Sequence, residues 1–472
     1  MNQSEFREVI ENRPFDEIRV GDSASMTHTL TLEDIQLFAI MSGDASPAVM
    51  DQEYTKSELA PKVIAQGMFG GALISAVLGT KYPGPGTIYL DQSLHFERPV
   101  SVGDVVTVTV TVTVKNDENR HVTLDCRGVN QRGEEVISGT AVVLAPVQKI
   151  QRERAILPTV RLMDSYARYY RKLIAKTREV EPLLTAVVHP CDKVSMMGAI
   201  GAAQAGLIVP LLIGPEAKIR SVAEAEGVDL SPYTIIATEH SHAAAEKAVA
   251  MARSGQVEAI MKGSLHTDEL MGSVVDKVTG IRTARRISHV FIMDVPTYPR
   301  PLFITDAAIN IEPSLDDKVD ILQNAIDLAR ALGIDQPKAA ILSAVETVTT
   351  KMRSTIEAAA LCKMADRGQI RGAIVDGPLA FDNVVSEVAA KIKGIVSPVA
   401  GKADILLVPD LESGNMLAKQ LEYLADAQSA GIVLGARVPI MLTSRADKEM
   451  ARMASCAVAL LLVRAKPRVA AA

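Results

Sequence analysis

Residues 439–447, P-I-M-L-T-S-R-A-D, bring together the groups in this chain best suited to chemistry. A buried strand is predicted to end at Leu442, and Thr443-Ser444-Arg445 to open a helix from about Ala446. A helix start offers unpaired N–H groups and a partial positive charge, which suits phosphate. Arg445 adds a bidentate phosphate donor and Ser444 a hydroxyl at the same spot. The same letters spell a capping box, with Ser444 as N-cap and Asp447 three residues on. Capping and anion binding use one geometry, so the tract alone leaves both readings open.

Other motifs carry less. Residues 394–402, G-I-V-S-P-V-A-G-K, superficially resemble a P-loop, but the glycine spacing is wrong and Ala403 stands where Ser or Thr is required. Gly198, Gly201 and Gly206 accompany a predicted helix without spelling G-x-G-x-x-G. His240 and His242 could pair on one strand face as metal ligands, yet no third ligand has a sensible spacing. Solvated or hydrogen-bonded histidines are the simpler reading, and no metal site is expected.

The elements that must position these residues fall into two regimes. From Val105 the text alternates Val and Thr, placing Val106, Val108, Val110, Val112 and Val114 on one face of a half-buried antiparallel strand. Residues 115–119 read as a hairpin turn, 121–128 as the return strand, and a last strand ends near Pro146. Residues 68–80, M-F-G-G-A-L-I-S-A-V-L-G-T, are apolar on nearly every side and predict a buried helix wrapped by this sheet. The charged stretch 146–160 reads as a linker between a domain at 15–145 and a larger one at 161–468. In the larger domain short apolar runs such as 184–188, 259–261, 290–294, 302–306, 405–409 and 440–442 alternate with helical stretches, which implies a mostly parallel α/β sheet. Its length favours two α/β lobes, about 161–300 plus 436–468, and about 301–435.

Composition removes several function classes. The chain has 472 residues and a net charge of −6, which disfavours a nucleic-acid binder. With no Trp and 4% aromatic residues, base-stacking platforms are scarce. No apolar run approaches the ~18–20 residues of a membrane span, and the first residues show no basic and apolar signal pattern. The four cysteines are far apart and make no C-x-x-C, which suits a reducing compartment. The expectation is a cytoplasmic protein with neither nucleic acid nor membrane as partner.

Several tracts, in order, resemble a known family. They are M-K-G-S-L-H-T-D (261–268), R-R-I-S-H-V-F-I-M (285–293), I-T-D-A-A-I-N-I-E-P (304–313), D-G-P-L-A-F-D-N (376–383), residues 394–415 ending in L-E-S-G-N, and V-P-I-M-L-T-S-R-A-D (438–447). Residues from about 165 to 465 thus resemble a phosphate acetyl/butyryl transferase, closest to the butyryl-type branch. The resemblance implies two α/β lobes of the isocitrate/isopropylmalate dehydrogenase-like type with the site between them. It implies acyl-CoA plus phosphate giving acyl phosphate plus CoA by direct transfer, with CoA and phosphate as substrates, no cofactor, and a homo-oligomer of two or more copies. Ser444, Arg445 and Asp447 become the catalytic candidates, and Lys262, His289, Asn310 and Asn415 the substrate- or phosphate-binding ones. Acetyl-type enzymes carry a catalytic Asp seven residues beyond the Ser, where this chain has Ala451, leaving Asp447 as the available carboxylate.

Residues from about 15 to 145 resemble a MaoC-type hot-dog domain, an α+β fold shared with R-specific enoyl-CoA hydratases. The matching tracts are S-G-D-A-S-P-A-V-M-D (42–51), I-A-Q-G-M-F-G-G-A-L-I-S (64–75) and F-E-R-P-V-S-V-G-D (96–104). Active relatives use an Asp-His dyad; here Asp44 keeps the acid, Val49 takes the place of the His, and Gln66 that of a second common His. Valine can neither give nor take a proton, so the dyad is broken. The Val-Thr strands are expected to expose sheet edges that hot-dog relatives bury by dimerising. The reading is a phosphate acyltransferase whose hot-dog domain has lost hydratase activity. The alternatives are a bifunctional enoyl-CoA hydratase/phosphate acetyltransferase and a non-catalytic acyl-CoA-binding assembly protein.

Overall fold

Side chains of alternating character build the first sheet as the periodicity predicts, with one local exception. The computed structural model describes residues 9–44, 65–153, 155, 160, 168–442 and 449–465, and it falls into two units that divide at Leu162/Met163. In the first unit β1 (Val9–Glu11) is followed by β2 (Ser23–Thr29), β3 (Ile88–Phe96), β4 (Val105–Asn116), β5 (His121–Val129), β6 (Glu135–Leu144) and β7 (Gln151–Glu153). β2 to β6 form one antiparallel sheet in the order β2-β4-β5-β6-β3. The helix Met68–Thr80 buries Ile74, Val77 and Leu78 against Val106, Val108, Val110 and Val112, a helix on a sheet as the hot-dog resemblance implies. Val114 departs from the stripe: the register with β5 shifts between Val112 and Val114, a bulge that leaves Val114 54% exposed.

Two expectations for this unit are corrected. The Val-Thr strand β4 has partners on both sides, so the edges of the sheet are β2 and β3, and β3 exposes Ile88, Leu90 and Phe96. The stretch assigned to a linker contributes β7, which pairs antiparallel with β1. Fully buried Asn12 holds that pairing: its Nδ2 donates to Pro85 O (3.0 Å) and Gln148 O (2.8 Å), and its Oδ1 accepts from Ile150 N (2.8 Å).

The second unit is built on one eleven-stranded sheet. Its strands in chain order are β8 (Leu183–Val188), β9 (Ile208–Gly214), β10 (Thr234–Ala237), β11 (Ala259–Lys262), β12 (Ser288–Asp294), β13 (Leu302–Thr305), β14 (Lys338–Leu342), β15 (Ile374–Leu379), β16 (Ile405–Leu407), β17 (Gln428–Leu434) and β18 (Ile440–Met441). Across the sheet the order is β10-β9-β8-β11-β18-β17-β12-β13-β16-β14-β15. The first five strands are mutually parallel, as are the last four. β17 and β12 pair antiparallel with each other and with their outer neighbours, joining two parallel sets that run in opposite senses. The expected lobe boundaries therefore cut through continuous pairing, because β17, placed with residues 301–435, bonds to β18, placed with the first lobe. β17 itself, Q-S-A-G-I-V-L, is buried along its whole length yet begins with polar and small residues, which hides it from a search for apolar runs.

Candidate active site

Parallel sheets take ligands where the carboxyl ends of their strands open. β11 pairs with β18 as far as Met261 and Met441, so buried Lys262 lies one step on, level with Leu442. From Leu442 the chain enters residues 443–448, and Ser444, Arg445 and Asp447 lie outside the described residues. Gly263 follows Lys262, and a Cβ there would collide with the carbonyl oxygens of Val188 and His189, so the close approach of β11 to the end of β8 requires glycine. Ser264 then ties the two strand ends. Its hydroxyl donates to His189 O (2.8 Å) and accepts from Cys191 N (3.2 Å), and it lies 3.1 Å from His189 Nδ1.

His289 approaches Leu442 from the opposite side of β18. It is the second residue of β12, 1% exposed, with its ring edge-on to Phe291 at 4.4 Å between centroids. Gly431 on neighbouring β17 leaves room for it: a Cβ there would stand 2.9 Å from His289 Nε2 and 2.8 Å from Leu442 O. Burial without a charged partner drives the imidazole down to about 3, so it is neutral, and its Nδ1 has no hydrogen-bond partner.

Asn310 and Asn415 belong to an adjoining cluster at the end of β13. Buried Asp306 accepts from the backbone of Ala308 (3.0 Å), Ile309 (3.1 Å) and Asn310 (3.2 Å), and from the Asn310 side chain. Burial raises the Asp306 carboxyl, opposed by these donors. Asn310 also donates to Ile287 O (2.9 Å) and accepts from Arg286 Nε (2.6 Å). Thr305 Oγ1 donates to His289 O (2.8 Å), which fastens the cluster to β12. Asn415 lies inside the helix Leu411–Leu424, capped by Asp410, and donates to Ala307 O (3.2 Å). The structure thus gathers His289, Asn310 and Asn415 around residues 305–310, and sets Lys262 beside Leu442, which His289 also faces.

Sequence reading passed over Asp306, Arg286 and His189. The first two sit inside resembling tracts, and D-x-x-x-N at 306–310 was the available signal. His189 gives no such signal: its distinction is a backbone φ of +54°. Ala451 is buried in the helix Glu449–Ala465, and its carbonyl accepts from Ser455 Oγ (3.0 Å), so this position supplies no carboxylate. His240 and His242 lie at a helix start rather than on a strand face. His240 Nδ1 caps the helix Ser241–Arg253 by accepting from Ala243 N (3.1 Å), and no metal-holding group of His, Cys, Asp and Glu occurs among the described residues.

In the first unit, Asp44 follows the helix Leu32–Ser42, and Val49 lies outside the described residues. Gln66 lines a cavity of about 180 Å³ with Phe69, Leu73, Phe96, Val136 and Ile137. Both its amide atoms are buried and have no hydrogen-bond partner.

Known proteins match both units. The family described as phosphate acetyl/butaryl transferase matches residues 237–460, and that described as MaoC like domain matches residues 19–128. A phosphate acetyltransferase of Rhizobium meliloti is 63% identical over 292 residues, 62% of this chain and 92% of that protein. A phosphate butyryltransferase of Clostridium acetobutylicum is 40% identical over 293 residues, 62% of this chain and 97% of that protein. The crystal structure of a branched-chain phosphotransacylase from Enterococcus faecalis is 27% identical with a TM-score of 0.53, over 59% of this chain and 99% of that one. No helix among the described residues is long and apolar enough to cross a membrane.

Proposed function

This chain belongs to the phosphate acetyl/butyryl transferase family, and from that premise we propose that residues 443–448 seat phosphate at the end of β18, with Arg445 and Ser444 as its donors. The reaction is acyl-CoA plus phosphate giving acyl phosphate plus CoA. The observation that carries the placement is the convergence of buried Lys262 and the His289 ring on Leu442, the residue before Thr443. Lys262 contributes positive charge beside the phosphate, and Arg445 binds it bidentately. Neutral His289 supplies an uncharged donor or acceptor towards the same point, where tetrahedral charge develops. Asn310 and Asn415 hold the 305–310 turn that borders it.

With Ala451 providing no carboxylate, Asp447 is the carboxylate the tract offers, as base or as cap of the expected helix start three residues after Ser444. Asp447→Asn separates cap from base: loss of a cap lowers stability by ~1 kcal/mol and spares turnover, whereas loss of a base does the reverse. Acetyl is the favoured acyl group, supported by the higher identity to the relative named an acetyltransferase. No cofactor is needed, since CoA and phosphate are the substrates. Two parallel strand sets joined by antiparallel β17 and β12 support the two-lobed reading of isocitrate/isopropylmalate dehydrogenase type. Four free cysteines support a reducing, cytoplasmic setting.

The MaoC-like domain is read as having lost hydration, because Val49 and Gln66 stand where relatives have histidines. Its retained role is assembly: edge strand β3 carries exposed Ile88, Leu90 and Phe96, a surface that a second copy would cover in a homo-oligomer. Two assays on the full chain test these readings. Thiol release from acetyl-CoA on adding phosphate is expected, and hydration of crotonyl-CoA is not. Absence of the first across C2 to C5 acyl-CoAs overturns the transferase assignment, and hydration abolished by Asp44→Ala overturns the loss.

A further inference from the structure

Among the described residues, three that are not glycine have φ in the left-handed region: Arg120 at +59°, Asp426 at +51° and His189 at +54°. Arg120 lies in the turn between β4 and β5, and Asp426 just past the helix Leu411–Leu424, places where this conformation is ordinary. His189 is different. It directly follows β8 inside the parallel set, and its N–H still donates to Ile213 O (2.7 Å). A β-carbon there is strained where glycine would not be, and such strain persists where the side chain has work to do.

The imidazole is held by Ser264. That hydroxyl has one proton, directed to His189 O at 2.8 Å, so it meets Nδ1 (3.1 Å) and Cys191 N (3.2 Å) as an acceptor. Nδ1 therefore carries the ring proton and Nε2 the lone pair. Desolvation lowers the pKa of this imidazole from its usual value, which keeps it neutral near pH 7. The charged groups facing it are Lys218 from the helix Glu216–Ala225, Glu269 from the helix Thr267–Val275, and Asp192 on its own loop. β11 is the next strand, so His189 sits beside Lys262 and Gly263, and at ~4.8 Å per strand it is about 10 Å from the end of β18.

We propose that His189 moves the proton between the CoA sulfur and phosphate, with Ser264 as its positioning residue. The inference rests on the transferase reading and fills the role that buried Ala451 leaves vacant. In the direction of acyl-CoA formation, Nε2 takes the thiol proton, the sulfur bonds to the acyl carbon, and the carbon–oxygen bond to phosphate breaks. The imidazolium returns that proton to the departing phosphate. In the direction of acyl phosphate formation, Nε2 takes the proton of hydrogen phosphate as its oxygen attacks, and gives it to the sulfur as the carbon–sulfur bond breaks. No other reactant is required.

The test uses the full chain and His189→Gly, with acetyl-CoA and phosphate as substrates. Glycine suits this backbone, so the melting temperature is expected to hold or rise while kcat falls ~100-fold or more. KM values for both substrates should change less than about threefold, and millimolar imidazole should restore turnover at least about tenfold. His189→Asn, which tolerates the same φ without a basic nitrogen, should show the same loss if the glycine variant does not fold. Ser264→Ala should lower kcat less, and imidazole should not rescue it. Undiminished turnover in either His189 variant, or a loss that imidazole does not restore in the glycine variant, overturns the proposal. If the unmodified chain itself makes no acetyl phosphate, the transferase reading fails instead.

Discussion

Two polar sites, one in each unit, keep their side chains in opposite ways. At the end of β13, Asp306, Asn310, Arg286 and Asn415 lean on one another and on nearby carbonyls, so each orientation is over-determined. At the start of the helix Met68–Thr80, Gln66 is buried in an apolar cavity with both amide atoms unmatched. A side chain braced by its neighbours is confined to one orientation, whereas no hydrogen bond fixes the Gln66 amide. Three perturbations, in order of size, would break or sharpen this contrast.

Arg445→Ala removes the proposed phosphate donor. Loss of a charge-assisted donor should cost on the order of 2–4 kcal/mol of transition-state binding, or ~30- to 1000-fold in turnover. Steady-state rates over a range of phosphate concentrations check this, and unchanged saturation and turnover would remove Arg445 from the site.

His289 gives a pH-dependent effect. Its folded-state value is about 3 against the ordinary 6.5, so the folded chain holds it neutral while the unfolded chain binds the proton first. Its contribution to stability is present above about pH 6.5 and is lost as pH falls towards 3. At pH 5 the loss amounts to about 2 kcal/mol. Denaturant unfolding at pH 7 and pH 5 should therefore show a steeper drop for the unmodified chain than for His289→Asn. Equal drops would mean that the imidazole does not stay neutral in the folded chain.

The smallest effect probes the other side of the comparison. Gln66→Met fills a similar volume without an unmatched amide, and should stabilise the first unit by ~1 kcal/mol. Thermal unfolding measures it. A loss of stability would show that the amide is matched by something in solution, and the contrast with the Asp306 cluster would narrow.

Much of this was legible in the sequence where periodicity or an ordered motif carried it. The valine stripe of β4 and the apolar helix over it follow from residue type alone, while the bulge that turns Val114 out is a matter of register. Alternation also says nothing of neighbours, so β4 read as an edge although it lies between β2 and β5. β17 escaped because Gln428, Ser429 and Gly431 break its apolar run, and burial of such residues is decided by strands distant in sequence. Lys262, His289 and Asn310 were singled out as candidates through the motifs that hold them. His189 was not, since a left-handed backbone at a histidine has no signature in residue type. Asp306 lies in a motif, but only the fold reveals that it gathers three backbone N–H groups.

The pairing of β1 with β7 has a topological consequence. Val9 lies opposite Glu153, so the path into the first unit and the path out of it run side by side, separated by one strand spacing of ~4.8 Å. Asn12 ties this neck through its contacts at Pro85, Gln148 and Ile150. Everything between is a closed circuit, and the connecting chain leaves beside the point of entry. Such a circuit can be cut at the hairpin between β4 and β5 and sealed at the neck with its strand order intact, and it can be carried by another protein as a cassette on a single stalk.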